Sequence, residues 1–333
     1  MRMIKVPWSE SGNRYTALFE SLVIDWLKDA PISAVSRNMR LSWNAIAGIQ
    51  TRAVERGLAT RDTTAAYKQL GIDETSFRKR HDYVTVINDP VSGHVIYVCK
   101  DRTKKSVKEF YASLTVEQKD NIETVSMDMW PAYIGATEES IPDSESKIAF
   151  DKFHVAKYLG DAIDKVRRQE NRELRKQEDY SLTGTKYGWL RNPENETHLQ
   201  KKDYQNLRQS SLKTARAWAM KEHAMCLWHY TSQTWAEKAW QRWYGWASRS
   251  RLRPMIDVAW TLKRHMWGIV NAVINKADNA KAESLNSRIK TVKVRSRGFR
   301  NKDRFINAIY FHLGGLDLYP PSAKQYESTH TNG

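Results

Sequence analysis

The chain has 333 residues, of which 54 are Lys or Arg and 38 are Asp or Glu, so its formal net charge is +16. Apolar residues make up 41% and charged residues 28%, which excludes a disordered chain, a collagen and a small disulfide-rich scaffold. The length predicts two or three domains. The positive excess favours a polyanionic partner, and nucleic acid is the commonest polyanion.

The composition also indicates a compartment. The two cysteines, Cys99 and Cys226, are too few for a disulfide framework or a Cys-rich zinc site, which fits a reducing cytosol. No run of about 18 uncharged apolar residues occurs, and the first residues lack the apolar region of a secretory signal. We therefore expect a cytoplasmic protein with no membrane partner.

The first 60 or so residues predict helices. Apolar side chains recur at helical spacing over residues 15–26, and Ser42 is suited to cap a later helix. Two short helices joined by a tight turn, here residues 38–41, form the helix-turn-helix pattern, although a plain three-helix bundle is the alternative. The exposed faces of the second helix are predicted to carry Asn44, Gln50, Thr51 and Arg52, of which Asn44 and Arg52 are candidate DNA contacts.

From residue 67 the pattern changes to that of strands. We predict strands at 67–73, 83–88, 94–99, 123–128 and 147–151, a hairpin loop at 89–93 and a helix at 106–114. This order is typical of a mixed sheet with crossover helices, so the fold class is α/β.

Residues from about 154 to 276 are predicted to be almost entirely helical. Nine of the 13 tryptophans lie between Trp189 and Trp267. Tryptophans on helices more commonly form a core than a platform for stacking bases. We therefore interpret this segment as a large all-α insertion or second domain.

Two acidic residues occur where predicted strands end. Asp73 follows the apolar run 70–72, and Asp128 ends the strand 125–127. Two neighbouring strands would place both carboxylates at one sheet edge, where oxygen ligands suit Mg²⁺. Such sites usually hold two ions about 4 Å apart and activate water for attack on a phosphodiester. Each acid alone is more commonly a turn or capping residue, and Glu74 is an alternative to Asp73 because successive strand residues point to opposite faces.

A third acid is expected from a basic segment near the end of the chain. Residues 279–304 contain nine Lys or Arg and two acids, a local net charge of +7. Glu283 is the candidate, and on a helix it shares a face with Asn286 and Lys290. The alternative is a screened surface acid. The surrounding cations are candidate contacts to the DNA backbone: Arg288, Lys290, Lys293, Arg295, Arg297 and Arg300.

Five motifs follow one another along the chain: Gly71-Ile72-Asp73-Glu74, residues 82–89, residues 126–133, Asp151-Lys152-Phe153-His154-Val155, and residues 282–290 followed by Arg297-Gly298-Phe299-Arg300. In this order they resemble the motifs of bacterial insertion-sequence DDE transposases of the ISL-three lineage. The match extends from about residue 30 to 315. The fourth motif resembles the family's Asp-x-Phe-His-Val signature, and the fifth resembles its final Glu block.

The resemblance implies an RNase H-like core with catalytic and metal-binding residues Asp73, Asp128 and Glu283. It implies two Mg²⁺ ions, for which Mn²⁺ can substitute, and strand cleavage and transfer at element ends. Asp151 and His154 are implied to be supporting residues. The 155 positions between Asp128 and Glu283 would hold the helical insertion. The implied partners are double-stranded DNA of transposon ends and target and a further copy of the chain, as a homodimer or larger assembly, in a bacterial cytoplasm at the nucleoid.

The predicted partition is a helix-turn-helix domain at 1–62, core segments at 63–160 and 276–318, an insertion at 161–275 and a disordered tail at 319–333. One feature departs from the family, because a Cys-rich zinc segment usually precedes the helix-turn-helix and these residues lack the cysteines for it. Two other functions are compatible with the residues. One is a metal-dependent nuclease of the same fold, and the other is a DNA-binding repressor without catalysis.

Overall fold

The computed structural model describes residues 8–10, 13–78, 82–276 and 280–323, with the backbone alone for 280–283. The described residues form sixteen α-helices and five strands, so the protein is a mixed α/β protein, as predicted. Contacts divide the chain into two compact units. The first unit comprises residues 1–122 and 280–333, and the second comprises residues 123–279.

The first unit begins with three helices. They are α1 (Ala17–Asp29), α2 (Ile32–Met39) and α3 (Trp43–Ala59). Arg40 ends α2 in the left-handed conformation with φ of 52°. Ser42 Oγ then caps α3 by accepting a hydrogen bond from the Ala45 N–H at 3.2 Å. The predicted turn at 38–41 between two helices is therefore confirmed.

One prediction for α3, the second helix of the helix-turn-helix, was wrong. Gln50 was expected on an exposed face, but it is only 5% exposed. It follows Ile46 by four residues and precedes Ala53 by three, so it lies on the face of α3 that enters the core. Asn44 and Thr51 are exposed as predicted.

The three helices share one hydrophobic core with the rest of the first unit. Val23, Ile46 and Val54 belong to the same buried cluster as Val84 from a strand and Phe305 from a late helix. Polar contacts reinforce this junction, because the Arg61 guanidinium donates to the carbonyls of Ile96 at 2.7 Å, Val95 at 3.0 Å and Gly314 at 2.5 Å. The helix-turn-helix is thus built into the first unit.

Three antiparallel strands follow in the first unit. They are β1 (Gln69–Arg78), β2 (Asp82–Asp89) and β3 (His94–Cys99). Gly93, with φ of 72°, ends the predicted hairpin loop between β2 and β3. The first strand is longer than predicted. Asp73 therefore lies inside β1, opposite Val86 of β2, rather than after its end.

Four further helices complete the first unit. They are α4 (Lys104–Ala112), α5 (Val116–Asp120), α15 (Ala280–Arg295) and α16 (Lys302–Leu313). Leu285, Ile289 and Val292 form the buried side of α15, and Lys293 Nζ donates to the Ser76 carbonyl of β1 at 2.8 Å. Residues 319–323 of the predicted tail are described, and Ala323 is buried, whereas residues 324–333 lie outside the described residues.

The second unit contains two parallel strands, β4 (Thr124–Met127) and β5 (Ile148–Phe150). Its helices are α6 (Pro131–Glu138), α7 (Ser144–Lys147), α8 (Lys152–Arg175), α9 (Lys186–Leu190), α10 (His198–Gln209), α11 (Lys213–Cys226), α12 (Gln233–Ser248), α13 (Arg253–Arg264) and α14 (Met266–Ile274). The predicted helical segment is thus confirmed. Its core includes the fully buried Trp189, Trp240 and Trp243, but other tryptophans are exposed.

No described helix combines the length and the apolar character that crossing a bilayer requires.

The stability of the first unit should depend on pH through His312. Burial, followed by the charge of Arg295, lowers the pKa of His312 from 6.5 to about 4. At a pH between about 4 and 6.5, His312 therefore binds a proton in the unfolded chain but not in the folded chain. Stability should fall as pH decreases from about 6.5 to 4, by at most about 3 kcal/mol. Urea unfolding at several pH values measures this, and His312→Gln should flatten the curve; an equally steep curve for the variant would contradict the assignment.

Candidate active site

Asp73 lies beside the basic helix α15 within the first unit. Its Oδ1 accepts a hydrogen bond from the Glu74 N–H at 2.7 Å. Its Oδ2 accepts a hydrogen bond from Asn286 Nδ2 on α15. The carboxylate is half-buried and is held from both sides, by its own strand and by the helix.

Glu74, the alternative to Asp73, has a different environment. It makes an ion pair with Arg102 Nη1 at 3.0 Å. Since neighbouring strand residues point to opposite faces, Glu74 and Asp73 are separated by the sheet itself. Of the two acids, Asp73 is the one whose carboxylate accepts a hydrogen bond from a described side chain of α15, so Asp73 is the acid that faces this helix.

Asp128 immediately follows β4 in the second unit. Its Oδ1 accepts a hydrogen bond from the Met129 N–H at 2.6 Å. Its Oδ2 lies 3.4 Å from His154 Nδ1, and the Asp128 side chain is 23% exposed. The carboxylate thus has one oxygen fixed by the backbone and one beside a side chain of α8.

The contacts of Asp151 explain how His154 reaches Asp128. Asp151 is buried and caps α8 by accepting a hydrogen bond from the Phe153 N–H at 2.6 Å. Its own N–H donates to the Met127 carbonyl at the end of β4, at 3.0 Å. The first turn of α8 is therefore fastened to the strand that carries Asp128, and His154 is in that turn.

The two aspartates share a pattern of contacts. In each, Oδ1 accepts from the next residue's N–H, and Oδ2 contacts a helix side chain, Asn286 for Asp73 and His154 for Asp128. Half-buried carboxylates oriented in this way offer the oxygen atoms that Mg²⁺ and Mn²⁺ prefer, so each of the two carboxylates is chemically suited to such an ion. Within the described side chains, no three His, Cys, Asp or Glu residues form a group suited to a metal.

Glu283, the third predicted ligand, has a side chain outside the described residues. Its backbone belongs to α15, one turn before Asn286. Asn286 was noted in the sequence only as a neighbour of Glu283 on the same helix face. The hydrogen bond between Asn286 and Asp73 joins residues 213 positions apart, so no local sequence pattern predicts it.

Several predicted DNA-binding residues meet in one basic cleft of the first unit, a cavity of about 1120 Å³. We call basic cleft the space between α2, α3 and the connection from α15 to α16. Five arginines line it and no acidic residue does so among the described residues: Arg37, Arg52, Arg297, Arg300 and Arg304. Asn44 and Thr51 line it from α3. Arginine side chains suit contacts to phosphates, and Asn and Thr side chains suit hydrogen bonds to base edges, so the lining is compatible with DNA.

The predicted DNA contacts differ from one another in their surroundings. Arg52 is anchored by the buried carboxylate of Glu20, to which its Nε donates at 3.0 Å. Arg288, Lys290 and Arg295 are exposed on α15 but are not among the residues that line the basic cleft. Lys293 is also absent from the lining, and its ammonium is bonded to β1.

Trp43 and Arg304 are among the residues of the basic cleft that the sequence did not indicate. The Arg304 guanidinium lies 4.4 Å from the centre of the Trp43 ring, so the start of α16 contacts the start of α3. An Arg on one helix and a Trp 261 positions earlier carry no pairing signal in the sequence. Both residues line the basic cleft.

The comparisons with known proteins agree with this arrangement. A family model described as "Transposase", of the DDE type and the ISL3 family, matches residues 70–309. A second model, described as the helix-turn-helix domain of transposase family ISL3, matches residues 4–54. The fold and the matched segments thus define a transposase with an N-terminal helix-turn-helix domain.

Curated relatives have the same type of name. The chain is 26% identical over 326 residues to the transposase for insertion sequence element IS1001 of Bordetella parapertussis, covering 97% of this chain and 78% of that protein. It is 25% identical over 337 residues to the transposase for insertion sequence element IS1557 of Mycobacterium tuberculosis, covering 94% of this chain and 75% of that protein. The chain belongs to the ISL3 family of transposases.

Proposed function

We propose that this transposase binds the ends of its insertion sequence and cuts and joins DNA strands with Asp73, Asp128 and Glu283 in an RNase H-like core. The observation that carries the proposal is the matched environment of Asp73 and Asp128. Each carboxylate is oriented by a backbone N–H and by a helix side chain. A bond to a neighbouring N–H is common for a turn aspartate, so the helix side chain beside each Oδ2 is the feature that supports a shared role.

Asp73, Asp128 and Glu283 would hold two divalent cations, Mg²⁺ or Mn²⁺. When bound, such ions activate the attacking oxygen and stabilise the charge on the leaving oxygen. In cleavage, water attacks a phosphodiester, the bond to the 3′ oxygen breaks, and a proton passes to solvent. In strand transfer, the freed 3′-hydroxyl attacks a target phosphodiester in the same way.

The other residues of the site act by orienting these carboxylates. Asn286 holds one oxygen of Asp73, and His154 lies beside one oxygen of Asp128. Asp151 keeps the first turn of α8 at the end of β4. We assign Asn286, His154 and Asp151 as positioning residues, whereas the DNA is held by the helix-turn-helix and the basic cleft.

A strand-transfer assay tests the proposal. Purified full-length protein is incubated with Mg²⁺, a labelled duplex carrying the element's end and a plasmid target. We expect cleavage at the end and joining of the new 3′-hydroxyl to the plasmid. Cleavage without joining would instead support the metal-dependent nuclease. Binding of the duplex with neither reaction, in Mg²⁺ and in Mn²⁺, would support the repressor.

The proposed partners and location follow from the same reaction. An element has two ends, and one copy of the chain at each end is the simplest arrangement, so we propose a homodimer or larger assembly on double-stranded DNA. In a bacterium such DNA is in the nucleoid, which makes a cytoplasmic, nucleoid-associated protein the expected form. Cross-linking with and without end DNA tests the assembly.

The proposed role of the basic cleft leads to a prediction about how DNA affinity depends on salt. Arg297 and Arg300 are exposed and line the basic cleft, so each should neutralise about one DNA phosphate. Arg297→Ala and Arg300→Ala should each reduce the slope of log affinity against log salt by about 1. Fluorescence anisotropy with an end duplex at several salt concentrations measures the slope. Lys202→Ala, an exposed change on α10, is the control, and unchanged slopes for both arginine variants would remove the basic cleft from the DNA interface.

A further inference from the structure

The exposed side of α12 in the second unit carries aromatic and basic side chains in a single row. Trp235, Lys238, Arg242, Trp246 and Arg249 follow one another at spacings of three or four residues, and Arg249 caps the helix. Such spacing places them along one face. We call these five residues the α12 row.

Both tryptophans of the row are open to solvent. Trp235 is 57% exposed and Trp246 is 43% exposed, whereas Trp240 and Trp243 of the same helix are buried. Within α12, the expectation that the tryptophans of this segment form a core is therefore correct for one side of the helix only. Exposing an indole ring to water is unfavourable in free energy, and a binding partner that covered the ring would remove this penalty.

Most charged residues next to the two rings in the sequence are basic, and the nearest acid is Glu237, which accepts a hydrogen bond from Gln233 Nε2 at 3.0 Å. From residue 238 to residue 256 the sequence contains five Lys or Arg and no Asp or Glu. Lys238 Nζ lies 5.3 Å from the centre of the Trp235 ring. Gly245 leaves room beside α12 for the Arg249 guanidinium, which lies 3.0 Å from where a Cβ would be. The row therefore combines flat aromatic surface with cations, and an anionic partner fits it.

We infer that the α12 row binds an unpaired segment of DNA, with bases stacked on Trp235 and Trp246 and phosphates beside Lys238, Arg242 and Arg249. Stacking on an indole requires a base whose face is free, and the bases of an intact duplex are stacked on one another. From residue 235 to residue 249 the helix extends about 21 Å, which is long enough for several nucleotides. The inference rests on the proposed function, because fraying or staggered cutting at a cleaved element's end is what would present unpaired bases to the α12 row.

The test measures binding of a fluorescein-labelled oligothymidine and of a labelled end duplex to the full-length protein by anisotropy. Trp235→Ala/Trp246→Ala should weaken binding of the single strand by about 10–100-fold and leave binding of the duplex within about twofold. Trp235→Phe/Trp246→Phe should retain most of the affinity, since a smaller aromatic ring still stacks. Tyr180→Ala/Tyr187→Ala removes two other exposed aromatic rings of the second unit and should change neither affinity.

The outcomes separate this inference from the proposed function. Unchanged single-strand binding by the Trp→Ala variant, or an equal loss for single strand and duplex, would overturn the α12 row as a site for unpaired DNA. Preferential binding of polyglutamate to the row, with no affinity for oligothymidine, would also overturn it and indicate an acidic protein partner. If the wild-type protein lacks strand transfer but the α12 row still binds oligothymidine, the proposed function fails and the inference about binding stands.

Discussion

Asp73→Asn should lower Mg²⁺-dependent cleavage of an end duplex by on the order of 10²–10³-fold or more, while affinity for the duplex stays unchanged. The amide keeps the size of the side chain and its ability to accept from the Glu74 N–H, but it loses the negative charge that a divalent cation requires. Cleavage in a gel assay and affinity by anisotropy, measured on the same preparation, check the two halves of the prediction.

Glu74→Gln is the matched control for that experiment. It changes the neighbouring acid of the same strand in the same chemical way, but Glu74 is paired with Arg102 on the other face of β1. We expect cleavage close to that of the wild-type protein. Loss of cleavage by Glu74→Gln together with normal cleavage by Asp73→Asn would reverse the assignment and make Glu74 the catalytic acid.

The same reasoning applies to the second unit. Asp128→Asn should also abolish cleavage, whereas His154→Ala should reduce it less, because His154 acts through Asp128. A titration of Mg²⁺ separates the two roles, since a positioning residue should raise the metal concentration needed for half-maximal cleavage and leave partial activity at saturation. Normal cleavage by Asp128→Asn would contradict the proposed triad of Asp73, Asp128 and Glu283.

Glu20→Ala should destabilise the folded protein by about 3 kcal/mol, the largest effect on stability that we expect from a single charged residue. The Glu20 side chain is fully buried on α1 and accepts hydrogen bonds from Arg52 Nε at 3.0 Å and from Asn13 Nδ2 at 2.7 Å. It also makes an ion pair with Arg56 Nη2 at 3.2 Å. Without it, the buried Arg56 would retain Glu10 as its remaining acidic partner.

Urea unfolding of the full-length protein measures this loss. Glu55→Ala, an exposed glutamate on α3, should change the unfolding free energy by no more than about 0.5 kcal/mol. Since Arg56 also donates to the Leu318 carbonyl at 2.6 Å, the contacts of Glu20 connect the helix-turn-helix to the end of the first unit. Equal stability of the Glu20 and Glu55 variants would show that this buried network contributes little.

Much of the architecture was predictable because its signals are local. The turn at 38–41, the Ser42 cap and the hairpin from β2 to β3 depend on residues within a few positions of one another. The helical segment of the second unit was predictable for the same reason. The prediction for Gln50 was wrong because the exposure of a side chain depends on packing between elements. Gln50 is a polar residue, which favoured an exposed position, but in the fold it is buried on α3.

The candidate site likewise has features that the sequence predicted and features that it did not. The identity of Asp73, Asp128 and Glu283 as candidates came from motifs in the chain, and their catalytic role remains a proposal that the substitutions above test. Their surroundings could not be read from the motifs. The sequence placed Asp151 at a motif, but only the structure showed that it caps α8 beside Asp128.

The sequence by itself determined the family, the order of helices and strands and the positive charge near the end of the chain. The tertiary structure decided that Asn286 holds Asp73, that Trp43 and Arg304 meet at the basic cleft, and that one side of α12 leaves its tryptophans exposed. Hydrogen bonds and periodicity within an element act over a few residues and leave a pattern in the chain. Contacts between distant segments depend on how whole elements pack, and single residue types carry no record of that packing.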